Sequence, residues 1–98
     1  MSNINKQEDA RMKAVVTVIG KDMVGILAKV ATACAEANAN VIEVTQSVLQ
    51  EYFAMVMLID ITEINTDLAG LTESLEKSVA GMKIHVMHED IFNSMHRI

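Results

Sequence analysis

Tryptophan and proline are missing from this 98-residue chain, cysteine occurs once, and only three aromatic residues are present, Tyr52, Phe53 and Phe92. With so few rings and eight methionines, the core has to be aliphatic and thioether, which packs adaptably but specifies shape weakly. The lone Cys34 excludes an internal disulfide and any CxxC pair. Set within an apolar helical pattern, it is expected to be a small core residue. Positive charge is sparse as well: eight Lys and Arg stand against thirteen Asp and Glu, for a net charge of −5. The cations are scattered along the chain, whereas a nucleic-acid binder needs a basic stripe facing the phosphates, so no nucleic-acid partner is expected. No apolar run approaches the roughly 18–20 residues of a membrane span, and the polar N-terminus is no signal peptide. No membrane partner is expected, and the cytosol is the expected location.

What is present fits one domain. A chain this short buries roughly 60–65% of the surface its unfolded form exposes, so association would add to its stability. Residues 1–12 (MSNINKQEDARM) are polar and without period. They are expected to form a disordered tail, a vector remnant or an early start upstream of Met12, with the folded domain spanning 13–98.

Lys13–Ile19 (KAVVTVI) is β-branched and nearly all apolar, as suits a central strand buried on both faces. After the break at Gly20-Lys21-Asp22 the period becomes helical from Val24, with Leu27, Val30, Ala31 and Cys34 on one face. Asp22 is placed to cap that helix or stand in its first turn, and Asn38-Ala39-Asn40 to end it. In Val41–Leu49, Ile42, Val44 and Val48 alternate with Glu43, Thr45 and Ser47. The short link Gln50-Glu51 predicts a hairpin into Tyr52–Ile61. Asp67–Val79 is a second helix with the stripe Leu68, Leu71, Leu75 and Val79, Lys83–Glu89 a last strand, and Asp90–Ile98 a short terminal helix.

The order β-α-β-β-α-β, with right-handed crossovers, puts strands 1 and 3 side by side in the sheet centre and both helices on one face. The expected fold is α+β: a ferredoxin-like βαββαβ sandwich with an antiparallel four-stranded sheet, one face of it free of helices. On that face Ala54, Val56 and Leu58 would join Val15 and Thr17 in an apolar patch. Exposed patches of that kind mark association, so a homodimer or larger homo-oligomer is expected.

Catalytic chemistry finds little purchase. The first strand–helix turn has no arginine for a phosphate and carries Asp22 instead; it has no cysteine for a metal; and Val15, Thr17, Val56 and Leu58 cannot stack bases. His85 and His88 on one strand face opposite sides, so they do not converge on an ion with His96. Ser47 and Thr45 lack a nearby base, and Cys34 is expected in the interior. No catalytic residue, metal or cofactor is expected. The turn Gly20–Leu27 stands apart. Gly25 falls in the first turn of a helix, where glycine costs roughly 0.5–1 kcal/mol relative to alanine. Its presence is explained either by tight packing or by backbone N–H groups at a helix start that hold a carboxylate.

The segment GKDMVGILAKVATACAEANANVIEV resembles the opening of an ACT domain: strand, a G-x-D-x-x-G-I-[LV] turn, helix, then a small-residue and Asn segment into strand 2. QSVLQEYFAMVMLIDI continues in the manner of the ACT domains of glycine-cleavage regulators and formyltetrahydrofolate deformylases, and EDIFNSMHRI is similar to the end of small stand-alone ACT proteins of bacteria and archaea. The resemblance spans roughly 12–98. It implies a non-catalytic regulatory module that binds an amino acid or similar small metabolite at a subunit interface, or a module that keeps the fold for homo-oligomerisation and binds no metabolite. Carried over by position, it puts Asp22, Met23, Val24, Gly25, Ile26 and Leu27 on one side of the site and Asn40, Val41 and Ile42 on the other. One departure is visible: Val24 stands where many members have proline just before the glycine, which leaves the turn less rigid.

Overall fold

The computed structural model describes residues 11–21 and 25–95. Along the chain run β1 (Lys13–Gly20), α1 (Ile26–Glu36), β2 (Asn40–Leu49), β3 (Tyr52–Asp60), α2 (Leu68–Ser78), β4 (Lys83–His88) and α3 (Glu89–Met95). The strands form one sheet in the order β2-β3-β1-β4, and every pairing is antiparallel. The β-branched β1 takes a central place with β3 beside it, as the apolar content of both strands requires. This is the ferredoxin-like α+β sandwich that the pattern predicts.

The core lies between the sheet and α1/α2. Ala14, Val16 and Val18 of β1 and Phe53, Met55, Met57 and Ile59 of β3 point into it, meeting Val30 and Cys34 from α1 and Leu71 and Leu75 from α2. Met55 and Met57 are fully buried, so flexible thioethers fill the space that aromatic rings occupy in many cores. Asp67 caps α2, its carboxylate accepting from the Gly70 N–H at 2.7 Å. Asn38, at φ 65, ends α1 in the left-handed conformation. The carbonyl of Glu36 is then satisfied by the Asn65 side chain, and that of Ala37 by the Asn65 N–H.

Several expectations need correction. Gly25, not Asp22, is the N-cap of α1, and no side chain caps the helix or supplies an acid in its first turn. Because the helix starts at Ile26, its buried stripe is Ile26, Val30, Ala33 and Cys34 rather than Leu27, Val30, Ala31 and Cys34, and Leu27 is 40% exposed. In β2 the register with β3 passes from Val41↔Ile59 to Glu43↔Leu58, so Ile42 is the extra residue of a bulge and does not continue the alternation of Val44 and Val48. Arg11 and Met12, which the sequence alone places in the tail, are tied down: Arg11 pairs with Asp60, and the Met12 N–H donates to the Thr62 hydroxyl at 2.9 Å. The rest of the expected tail, residues 1–10, lies outside the described residues.

The second face of the sheet is also not bare. Val15, Thr17 and Ile19 share it with Ala54, Val56 and Leu58, but Val15 is only 3% exposed. The short helix α3 folds back from β4 and sets Phe92 beside Val15 and Val56. The part of the face toward Ile19 and Tyr52, each 46% exposed, is open among the described residues, as are Glu43, Thr45 and Ser47 on β2.

Candidate ligand-binding site

Gly25 has φ 73 and ψ 0, a left-handed conformation that L side chains rarely adopt, and a Cβ built on it would meet no atom within 4 Å. Its presence follows from backbone geometry, not from packing against the described residues. The Gly25 carbonyl accepts the first helical bond, from the Lys29 N–H at 3.0 Å. The N–H groups of Ile26, Leu27 and Ala28 precede that bond and have no intrahelical acceptor. With no acidic side chain in this turn, the partial positive charge of the helix start is left uncompensated by its own first residues. Ile26 itself is buried, so its side chain belongs to the core and only its N–H is on offer; Leu27 presents its side chain outward. Asp22, Met23 and Val24 lie outside the described residues.

Beside this turn, Lys21 lies 3.4 Å from Glu51 and 5.5 Å above the Tyr52 ring. The ion pair is two-thirds exposed at both ends and contributes little to stability. It does fix a cation and an aromatic ring at the same end of the sheet as Gly20.

Asn40, Val41 and Ile42 are exposed at the start of β2. Asn40 opens into a polar cavity of about 210 Å³ together with Arg11, Asn38, Asp60 and Glu63. Asp60 is 7% exposed. The Thr62 hydroxyl lowers its pKa below the usual carboxylate value, with the Thr62 N–H and the Arg11 guanidinium acting in the same direction against the cost of burial. The four neighbours of Asn40 in this cavity were not marked by the sequence. Asn38 reads there as a helix stop and Asp60 as the end of a strand, and their convergence depends on the β2–β3 register, which the bulge at Ile42 shifts.

The two halves of the expected site do not meet within one chain. Asn40 pairs with Asp60, and Asp60 with Lys13, at one end of the sheet. Gly20 and Lys21 lie at the other end, Gly20 paired with Phe53 and Lys21 over Tyr52. Seven strand positions separate Lys13 from Gly20, or about 23 Å. Elsewhere, Cys34 is buried, and burial pushes its thiol up to about 11, which makes it an inert core residue. No group of three or more His, Cys, Asp or Glu among the described residues is placed to hold a metal ion, and no helix among them is long and apolar enough to cross a membrane.

The fold defines the class, a ferredoxin-like βαββαβ domain. A family model described as ACT domain matches residues 13–89, and the chain belongs to that family. It is 44% identical over 88 residues to a UPF0237 protein of Methanocaldococcus jannaschii, a match covering 88% of this chain and 98% of the relative. An ACT domain protein from Streptococcus pneumoniae superposes with a TM-score of 0.71 and 34% identity, over 87% of this chain and 98% of that one. The regulatory subunit of aspartate kinase from Thermus thermophilus, in its ligand-free form, superposes with a TM-score of 0.59 and 26% identity, over 76% of this chain and 50% of that one. ACT domains are regulatory modules, generally non-catalytic, that commonly bind small ligands and dimerise.

Proposed function

We propose that this chain is a non-catalytic regulatory module that binds an amino acid or a similar small metabolite between two copies of itself. One observation carries the reading: Gly20, where β1 ends ahead of α1, and Asn40 lie at opposite ends of the sheet in a single chain, the length of β1, or about 23 Å, lying between those ends. A second chain can close that gap. The edge strand β2 is ten residues long, carries only Glu43 as a charge, and exposes Val41, Ile42 and Val48. Such an edge invites pairing, and β4, the other edge, is shorter and carries Lys83. Antiparallel pairing of β2 with its own copy about a twofold axis lays Asn40 of one chain against the Leu49 end of the other, which is the end where the Gly20–Leu27 turn leaves the sheet. The ligand carboxylate would take the Ile26 and Leu27 N–H groups. Asn40 and the carboxylates of Asp60 and Glu63 would face its ammonium group.

Calorimetry of the full chain against the twenty amino acids, alongside light scattering at the same concentration, tests this. Saturable heat from a dimer supports the reading. A dimer that binds none of them points to the second reading, an oligomerisation module in which the β2 edge serves assembly alone. A monomer at low micromolar concentration defeats both.

A further inference from the structure

A separate cavity of about 230 Å³ lies where α3 folds over the open face of the sheet. Its walls are Val15, Val56, Met57 and Leu58, with Phe92 from the helix, and the polar Glu43, Thr45, Glu89 and Asn93 also line it. Its lining among the described residues contains no Lys, Arg or His. Neither glutamate has an ion-pair or hydrogen-bond partner there either; the ion pairs found are Arg11–Asp60 and Lys21–Glu51. We propose that this cavity is a second small-molecule site, distinct from the two-chain site, and that it takes a short aliphatic primary amine.

Size and charge together restrict the occupant. Drug-sized ligands fill about 300–1,000 Å³, whereas this half-open space has room for about eight non-hydrogen atoms at interior packing density. Apolar walls call for a hydrocarbon body. Two carboxylates with no cation among the described lining residues disfavour an anionic ligand, including the carboxylate of an amino acid, and accept from an ammonium group with its three donors. No group of three or more His, Cys, Asp or Glu among the described residues is placed to hold a metal ion, and the hydrocarbon walls favour an ammonium group carried on an aliphatic body. Glu89 is the first residue of α3, so an ammonium held there also fastens the helix to the sheet. None of these nine residues belongs to the turn after β1 or to the Asn40 cavity; Glu43 and Thr45 lie on the β2 edge, and the amine test does not depend on whether that edge pairs with a second copy.

The test is a backbone amide NMR titration of the full chain with 3-methylbutylamine, its neutral counterpart 3-methylbutan-1-ol, and leucine. The expected result is saturable shifts at Val15, Val56, Leu58 and Phe92 with the amine, about tenfold or more tighter than with the alcohol, and none there with leucine. Val56→Phe fills the cavity and should abolish amine binding with an unchanged far-UV spectrum. The pair Glu43→Gln and Glu89→Gln should reduce the amine to the affinity of the alcohol, and this pair decides the matter if Val56→Phe does not fold. The proposal is overturned if the amine produces no saturable shift, if alcohol and amine bind alike, or if Val56→Phe still binds. It is also overturned if Val56→Phe turns a dimer into a monomer, because a second copy would then fill the space.

Discussion

Met82 fills the space over Gly20: a Cβ on Gly20 would overlap Met82 Sδ and come within 2.8 Å of Met82 Cε. The last residue of β1 is thereby packed under the residue that leads into β4, at the sheet end that carries the turn into α1. Gly20→Ala is expected to destabilise by about 1 kcal/mol, the low end of overpacking costs, since the clash is with the flexible end of Met82. Because a methionine side chain can move aside, the cost should shrink in a Met82→Ala background. Urea unfolding of the two single variants and the double variant measures that coupling directly.

Gly25→Ala has a different physical basis. The added methyl meets nothing, yet φ 73 is unfavourable for it, so a loss of about 1–2 kcal/mol is expected. Gly25→Asn should cost less, since asparagine tolerates the left-handed region. Denaturant midpoints for the two variants separate conformation from contact: a purely steric role would rank the larger Asn as the worse substitution.

These two glycines also show what the sequence could reveal. The strand pattern of KAVVTVI and the Leu68, Leu71, Leu75, Val79 stripe fix the sheet centre and α2, because apolar period and burial agree there except at Ile19, which is 46% exposed. The start of α1 was not legible. Ile26 and Leu27 both fit a stripe through Val30 and Cys34, and the left-handed Gly25 decides which of them turns inward. The bulge at Ile42 was hidden for a related reason, since Val41-Ile42 presents two adjacent apolar residues with nothing to mark which is unpaired. For α3, a helix of seven residues with Ile91, Phe92 and Met95 offers several apolar faces. Only the tertiary structure shows Phe92 over Val15 while Ile91 and Met95 stay more than half exposed.

Asp60 makes stability depend on acid. Its pKa is lowered in the folded chain by the Thr62 hydroxyl first, helped by the Thr62 N–H and Arg11. The folded state therefore binds its proton less readily than the unfolded one. The associated stability is fully present above the unfolded carboxylate value of about 3.9 and is lost as pH falls through the lower folded value. Thermal melts between pH 7 and pH 2 should show this loss, and Asp60→Asn should remove it while costing about 1 kcal/mol at neutral pH, because the pair sits at a solvent-screened sheet end. An unchanged acid limb in Asp60→Asn would show that other carboxylates set it.

The β2 edge and the separation of Asn40 from the α1 start lead to the most demanding expectation. Ile42→Lys places a charge on an edge residue that is 49% exposed. It should raise the dimer dissociation constant at least about tenfold while leaving the monomer fold within about 0.5 kcal/mol. If ligand binding needs both chains, it should fall in parallel. Complementation gives a sharper readout. Leu27→Glu puts a carboxylate in the first turn of α1, where the helix dipole favours it and where it repels a ligand carboxylate; Asn40→Ala removes the polar contact at the far end of the sheet. Each variant alone should fail to bind, because both sites of each homodimer carry the defect. In a mixed dimer, one site collects both substitutions and the other has neither. Random mixing makes half the dimers mixed, so roughly a quarter of the wild-type binding capacity should return. Calorimetric stoichiometry before and after mixing measures it, and no recovery from a mixture that exchanges subunits would place the whole site within one chain.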